Sequence, residues 1–190
     1  MDFESERHGQ QGRELYAKGR FGEAIQEFKK AIKIAPNFAD LYNHLGLSYH
    51  LNGEYELAIK TFKQAIRLNP QFATAFYNRG SIYYYRKQFD RAISDFSHAI
   101  AVDDTDPGAF HNRGCAYIMQ GQYEKAISDI NRSIELDPRD PRVFCSRGTA
   151  YLKSGNAQRA AEDFKRAISM SEDPEVIQKA RDALQELGEE

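Results

Sequence analysis

The chain has 190 residues, of which 28% are charged and 41% hydrophobic, and its 26 Lys and Arg against 28 Asp and Glu give a net charge of −2 at pH 7. A chain of this length buries roughly 70% of the surface that it exposes when unfolded, so its core needs no disulfide or metal. A slightly acidic chain also argues against nucleic acid as a partner, because phosphate backbones usually select a basic face.

Nothing in the sequence predicts a membrane or secretory protein. The longest apolar runs have four or five residues, far below the roughly 20 that cross a bilayer. The start MDFESERHGQQG has no apolar signal segment. The two cysteines, Cys115 and Cys145, are too few for a disulfide framework and are typical of free thiols in a reducing compartment. We therefore expect a cytoplasmic protein without membrane insertion.

A period of 34 residues runs through the chain. Glycine and alanine series show it at Gly12, Gly46, Gly80, Gly114, Gly148, Ala24, Ala58, Ala92, Ala126 and Ala160. The period defines five copies, at 5–38, 39–72, 73–106, 107–140 and 141–174. Small residues at these places let two helices approach closely while larger neighbours fill the space beside them.

Each copy contains two predicted helices, as copy 39–72 illustrates. Leu41, Leu45 and Tyr49 follow helical spacing, and so do Ala58 and Phe62. The Asn-Gly pair between the two runs predicts a turn, and the proline that closes the copy ends its second helix. The sequence therefore predicts a series of helical hairpins.

A motif recurs in every copy, and in 73–106 it comprises Asn78, Arg79, Gly80, Tyr83, Phe89, Ala92, Ile93, Phe96, Ala99 and Ile100. It resembles the motif of the tetratricopeptide repeat (TPR), a 34-residue helix-turn-helix unit. This resemblance implies an all-α fold, a right-handed superhelical solenoid forming a single domain over 1–190. It also implies that the first helices of the copies line a concave groove that binds peptides or protein segments.

Three departures from the motif follow in chain order. The first copy has the polar residue His8 at a place that is aromatic in the other copies, and Gln11 where the second copy has Leu45, which suits a terminal repeat without a neighbour. The third copy has Lys87 where the other hairpin turns have glycine. The same copy has Asp104 in place of the closing proline, and Pro107 follows three residues later. We expect the junction after this copy to be longer or differently angled.

The segment after the fifth copy predicts an amphipathic helix at 175–188. Its apolar stripe consists of Val176, Ile177, Ala180, Leu184 and Leu187. The favoured interpretation is a cap that covers the open end of the fifth copy. The alternative is a helix that docks into the groove of another molecule and forms a dimer.

Copies three to five share an Arg and an Asp that the first two copies lack. The residues are Arg79 with Asp95, Arg113 with Asp129, and Arg147 with Asp163. The Arg place is apolar in the second copy, so we expect a partly buried guanidinium that requires a carboxylate. The hypothesis is a ladder of structural ion pairs, and the alternative is a solvated face on which the pattern recurs by chance.

The resemblance also assigns residues to the peptide-binding groove. They are Asn43, Leu47, His50, Leu51, Tyr77, Ser81, Tyr84, Tyr85, His111, Cys115, Met119, Arg142, Cys145 and Thr149. This lining is aromatic and nearly uncharged, which is typical of a partner site. It offers too little positive charge to bind a terminal carboxylate as chaperone-binding TPR proteins do.

The sequence gives little support to catalysis or to a cofactor. His111, Cys115 and Cys145 could converge as ligands of a soft metal, but a tetrahedral site needs four ligands and no fourth is evident. Glycine-rich phosphate loops and nucleophile motifs are absent from the sequence. We therefore expect no metal, no cofactor and no enzymatic activity.

The function predicted from the sequence is that of a non-catalytic interaction module, a scaffold or adaptor that binds a peptide or helix of a partner protein. The alternative is a self-associating structural subunit whose C-terminal helix occupies a neighbour's groove. Both fit a monomer or weak homodimer without nucleic acid or membrane partners.

Overall fold

The computed structural model describes residues 3–188, and this part of the chain is all-α, with eleven helices and no strand. The helices are α1 (Phe3–Ala17), α2 (Phe21–Ile34), α3 (Ala39–Leu51), α4 (Tyr55–Leu68), α5 (Ala73–Tyr85), α6 (Phe89–Val102), α7 (Pro107–Met119), α8 (Tyr123–Leu136), α9 (Pro141–Lys153), α10 (Ala157–Met170) and α11 (Pro174–Glu186). None of these described helices is long and apolar enough to cross a membrane.

The chain divides into two compact units between Gln88 and Phe89. Unit 1 contains α1 to α5, and unit 2 contains α6 to α11. Every predicted copy contains two helices, and the division falls between the two helices of the third copy. The single domain over 1–190 stays a prediction.

Within each unit a glycine of the first helix faces a large side chain of the second helix. A Cβ atom added at Gly46 would lie 2.7 Å from Cε1 of Phe62, and one added at Gly148 would lie 2.9 Å from Cε1 of Phe164. Phe62 is completely buried and Phe164 is 1% exposed. The helix pairs are therefore held so close that only glycine fits at these places.

The hairpin turns reverse the chain through one residue in the left-handed region. That residue is Gly53 in the second copy, with φ of 82°, and Lys87 in the third copy, with φ of 58°. The amide of Gln88 donates to the carbonyl of Tyr83 at 2.8 Å, as the amide of Glu54 does to the carbonyl of Tyr49. The Lys87 turn thus keeps the geometry of the glycine turns, at the cost of a left-handed non-glycine residue.

The junction after the third copy is not longer than the others, so that part of the expectation is wrong, while a different angle stays a prediction. Four residues, 103–106, separate α6 from α7, and four residues also separate α4 from α5 and α8 from α9. Asp106 accepts a hydrogen bond from the amide of Gly108 at 2.8 Å, and Pro107 is the first residue of α7. Pro107 therefore starts the next helix rather than ending the previous one.

Helix α11 packs on its own unit. Ala180 is completely buried and Leu184 is 6% exposed, and Val176 and Leu187 pack against the same core cluster. Most of the predicted apolar stripe is thereby covered within unit 2. The helix runs from Pro174 to Glu186, close to the predicted 175–188.

Candidate functional site

Three of the predicted groove residues in unit 1 are engaged within the unit. Asn43 is 4% exposed, and its side-chain oxygen accepts a hydrogen bond from Nδ2 of Asn78 at 3.1 Å. The hydroxyl of Ser81 donates to the carbonyl of Tyr77 one turn earlier, at 2.9 Å. Leu47 is partly buried against the core of the unit. These residues position α3 and α5 more than they offer a surface to a partner.

Other predicted residues of unit 1 form a group of rings at the C-terminal ends of α3 and α5, of which Tyr85 is exposed and the other two are half-buried. We call His50, Tyr84 and Tyr85 the aromatic cluster. The ring of Tyr85 lies 6.5 Å from that of His50 and 6.3 Å from that of Tyr84, between centroids. Tyr85 is 75% exposed, and the neighbouring Leu51 is 49% exposed. Burial lowers the pKa of His50, so this surface is uncharged at neutral pH.

Tyr77 is half-buried on α5. In unit 2, Met119 at the end of α7 is 54% exposed. Arg142 binds the carboxylate of Asp140 through Nε at 2.9 Å and Nη2 at 2.8 Å. The hydroxyl of Thr149 donates to the carbonyl of Cys145 at 2.8 Å.

The predicted groove thiol Cys145 is not a surface residue, which corrects that expectation. It is 3% exposed, and its Sγ lies 3.9 Å from the carbonyl oxygen of Val176 in α11. Helix α11 lies over this part of α9.

His111 and Cys115 are half-buried and share one partner, Ser146. Nε2 of His111 lies 2.8 Å from Oγ of Ser146, and Sγ of Cys115 lies 3.6 Å from the same oxygen. Burial lowers the pKa of His111 to about 4, and burial raises the pKa of Cys115. At neutral pH the imidazole is therefore uncharged and the thiol is protonated.

A metal site does not form from these residues. Between residues 3 and 188 no group of three or more His, Cys, Asp or Glu side chains is arranged to hold a metal ion. The hydroxyl of Ser146 contacts both His111 and Cys115. These two side chains therefore bond to a hydroxyl and not to a shared metal ion. What the arrangement can do is fix α7 against α9 by hydrogen bonds.

Two of the predicted ion pairs lie within unit 2, and both are bidentate. Nε and Nη2 of Arg113 donate to the two carboxylate oxygens of Asp129 at 2.7 and 2.8 Å. Arg147 and Asp163 repeat the arrangement at 2.8 and 2.7 Å. These hydrogen bonds raise the pKa of both arginines. The geometry is the fork-to-carboxylate pairing that stabilises a partly buried guanidinium.

Each of these arginines also reaches the preceding second helix and packs between rings. Nη1 of Arg113 donates to Ser97, and Nη1 of Arg147 donates to Asn131. The guanidinium of Arg147 lies 5.6 Å from the ring of Phe144, within the range of a cation–π interaction. In unit 1, Arg79 lies near the rings of Phe76 and Tyr83 at 5.8 and 6.0 Å. Because Arg79 and Asp95 belong to different units, their pairing stays a prediction.

The first copy has a hydrogen bond between His8 and Glu27 that sequence reasoning missed. Nδ1 of His8 lies 2.6 Å from a carboxylate oxygen of Glu27, and both side chains are largely buried. Lys30 bonds the other oxygen of Glu27 at 2.7 Å. These hydrogen bonds lower the pKa of Glu27 although burial opposes them. The signal was available, because Glu27 occupies the place of Asp129 and His8 lies one turn before the arginine place.

Comparison with known families identifies the repeated unit. Models described as TPR repeat or tetratricopeptide repeat match residues 12–53, 48–84, 73–106, 96–128 and 113–185. The matches overlap from residue 12 to residue 185. The chain belongs to the tetratricopeptide repeat family. No curated protein matches the sequence of this TPR chain.

Solved TPR structures are similar to nearly the whole chain. A crystal structure of MamA has 29% identity and a TM-score of 0.80, over 90% of this chain and 93% of that one. MamA from Desulfovibrio magneticus RS-1 has 22% identity and a TM-score of 0.83, over 90% and 96%. YrrB, described as a TPR protein with an unusual peptide-binding site, has 22% identity and a TM-score of 0.77, over 92% and 90%. The fold is therefore that of a TPR protein.

Proposed function

We propose that this TPR protein is a non-catalytic scaffold or adaptor that binds a peptide or helix of a partner protein, with the aromatic cluster as its main contact. The observation that carries the proposal is the exposure of Tyr85, which is 75%, beside Tyr84 and His50. Soluble domains seldom leave such rings together in water without a partner. Tyrosine supplies a large contact area with little loss of side-chain entropy, which suits a binding surface.

The proposal limits the predicted groove residues to those that a partner can reach. Tyr77, Tyr84, Tyr85, His50 and Leu51 remain in the proposed site, since all five are at least partly exposed. Asn43 and Ser81 support the helices, and Cys145 is buried. His111 and Cys115 are partly exposed, but both are bonded to Ser146. The neutral rings favour an apolar or aromatic peptide segment over a strongly charged one.

The alternative, a self-associating subunit whose C-terminal helix occupies a neighbour's groove, has no observation in its favour. Ala180 and Leu184 of α11 are already buried on their own unit. Docking in a neighbour would require α11 to leave this core and expose it. We therefore propose a monomer, and light scattering with and without residues 175–190 tests this against a dimer that the truncation abolishes.

A peptide selection tests the proposed site. Peptides displayed from a random library are selected on the wild-type protein, and their affinities are compared with those for Tyr84→Ala plus Tyr85→Ala. We expect the double substitution to weaken binding about a hundredfold or more, because truncating one aromatic anchor at an interface often costs about 2 kcal/mol. Phe3→Ala is the matched control, since Phe3 is 82% exposed and lies on α1. Equal affinity of the double variant and the control would exclude the aromatic cluster as the site.

A further inference from the structure

The arginine networks of unit 2 have a counterpart in unit 1 from which the arginine is missing. In unit 2 the three partners stand 16 residues apart, as Asn131, Arg147 and Asp163 do. The same steps in unit 1 fall on Lys29, Leu45 and Thr61. Unit 1 therefore has neither the guanidinium nor the carboxylate of the unit 2 network at these positions.

A cavity of about 340 Å³ lies at this place, between α2, α3 and α4. Its apolar wall includes Tyr42, Leu45, Tyr49 and Leu57, and Leu57 is 42% exposed. Thr61 does not fill the space, because its hydroxyl donates to the carbonyl of Leu57 in its own helix at 2.7 Å. We call this cavity the α2–α4 pocket.

Cations border the α2–α4 pocket without a carboxylate to balance them. Lys29 and Lys60 line it, and among the described residues that line it none is Asp or Glu. Nζ of Lys29 lies 5.5 Å from the centroid of the Tyr49 ring. The guanidinium of Arg147 lies similarly, 5.9 Å from the ring of Tyr151. In unit 1, Lys29 therefore places a positive charge where Arg147 places one in unit 2. Thr61, at the position that corresponds to Asp163, is neutral.

The excess of positive charge is confined to the pocket lining. The lining has two Lys and no Asp or Glu, whereas residues 21–68, which contain the three helices around the pocket, have six Lys or Arg and five Asp or Glu. One of the six, Lys30, is paired with Glu27. A local excess of cations beside an apolar cavity selects a ligand that carries both an apolar group and negative charge.

We propose that the α2–α4 pocket binds an acidic peptide segment of a partner protein, with an apolar side chain in the cavity and a neighbouring Asp or Glu bonded to Lys29 and Lys60. The incoming carboxylate takes the role that Asp163 has in unit 2. The pocket shares no residue with the aromatic cluster, so this second site does not depend on the proposed function.

A variant that copies the arginine network of unit 2 into unit 1 should close the pocket. Lys29→Asn with Leu45→Arg and Thr61→Asp copies Asn131, Arg147 and Asp163, and should fill the cavity with a paired guanidinium. Lys29→Glu with Lys60→Glu is the complementary variant, which leaves the cavity open and reverses its charge. Both lysines are exposed, so this second variant should fold even if the first does not. Circular dichroism and thermal unfolding check both.

The probe is a phage-displayed library of random 12-residue peptides, selected on protein that carries Tyr84→Ala and Tyr85→Ala so that the aromatic cluster does not contribute. We expect enriched peptides in which Asp or Glu flanks Leu or Phe. Their affinity should fall about tenfold or more in each pocket variant, and should weaken as salt is raised.

Three results would overturn the proposal. One is a selection that enriches no peptide on the open pocket relative to a folded pocket variant. Another is a set of enriched peptides without acidic residues, or with unchanged affinity for the charge-reversed variant. The last is binding of phosphatidylglycerol vesicles that the pocket variants abolish while no peptide is enriched, which would assign the pocket to an anionic lipid.

Discussion

The glycines that face a large side chain across a hairpin set the distance between the paired helices. At Gly46 an added Cβ would meet the ring of Phe62 at 2.7 Å, and this ring is fully buried. Gly22 also lies in a helix, but an added Cβ there would meet nothing within 4 Å. Comparing substitutions at Gly46 and Gly22 therefore separates the effect of helix propensity on stability from the effect of packing.

We predict opposite effects of Gly46→Ala and Gly22→Ala on the free energy of unfolding. Alanine raises helix propensity by up to about 1 kcal/mol at either place. At Gly46 the clash with Phe62 should outweigh this gain, because overpacking a core costs about 1–3 kcal/mol. Urea denaturation should show Gly22→Ala as stable as the wild type or more so, and Gly46→Ala as less stable. The reverse order would mean that the hairpins are not closely packed.

Lys87 holds a left-handed conformation that glycine adopts in the other turns. Its φ is 58°, a region that costs a residue with a Cβ about 1 kcal/mol or more. Lys87→Gly should therefore raise the free energy of unfolding by about 1 kcal/mol. Lys87→Ala removes the charge but keeps the Cβ, and should give no such gain. Equal effects in thermal unfolding would assign the change to charge instead.

His111 should make the protein sensitive to mild acid. Burial lowers its pKa from 6.5 to about 4, with Arg142 and Lys179 contributing in the same direction and Asp140 opposing them. Between these two pH values the unfolded chain binds a proton that the folded chain does not. The stability contributed by neutral His111 is therefore complete above about pH 6.5 and is lost as the pH falls towards 4.

The test compares wild type with His111→Gln, which stays neutral at every pH. Between pH 7 and 4.5 the wild type should lose about 2 to 3 kcal/mol more unfolding free energy than the variant. Apart from Asp140, whose pKa His111 lowers, the carboxylates titrate alike in both proteins, so their contribution cancels in the difference. Parallel pH profiles in urea denaturation would show that His111 takes up its proton without cost.

At the scale of the helices, α11 closes unit 2 and covers Cys145. A chain that ends at Asp173 lacks the burial of Ala180 and Leu184, and should be destabilised by about 2 kcal/mol or more. In a Cys115→Ser background, we expect Cys145 of the truncated chain to react with a thiol reagent at least about tenfold faster than in the full chain, because its Sγ lies under the Val176 carbonyl. An unchanged rate would mean that α11 does not cover α9.

The positions of the helices could be predicted because the residues that pack the helices recur every 34 residues. Gly46 and Ala58 recur where close contact excludes larger side chains, and these recurrences place both helices of each copy. The cover over Cys145 could not be predicted, because the contact of α11 with α9 has no counterpart in the repeat. The α2–α4 pocket could not be predicted either, although the first two copies lack the shared Arg and Asp, because a cavity depends on what fills the space around a missing side chain.

For the molecule as a whole, the two units present different surfaces on equivalent helices. In unit 1 the first-helix residues His50, Tyr84 and Tyr85 stay at the surface, with Tyr85 75% exposed. In unit 2 Cys145 lies under α11, and His111 is bonded to Ser146. The repeat period fixes the family and the helices, while the local side chains decide which face can accept a partner.

The most direct test of the account is a photo-crosslinking measurement in the source cell, with benzoylphenylalanine replacing Tyr85 in one protein and Phe3 in another. The account predicts that the group at Tyr85 crosslinks a defined segment of a partner protein, identified by mass spectrometry, and that Tyr84→Ala reduces this adduct. The group at Phe3 should give no such adduct. The same adducts from both positions, or none from Tyr85, would contradict the claim that the aromatic cluster binds the partner.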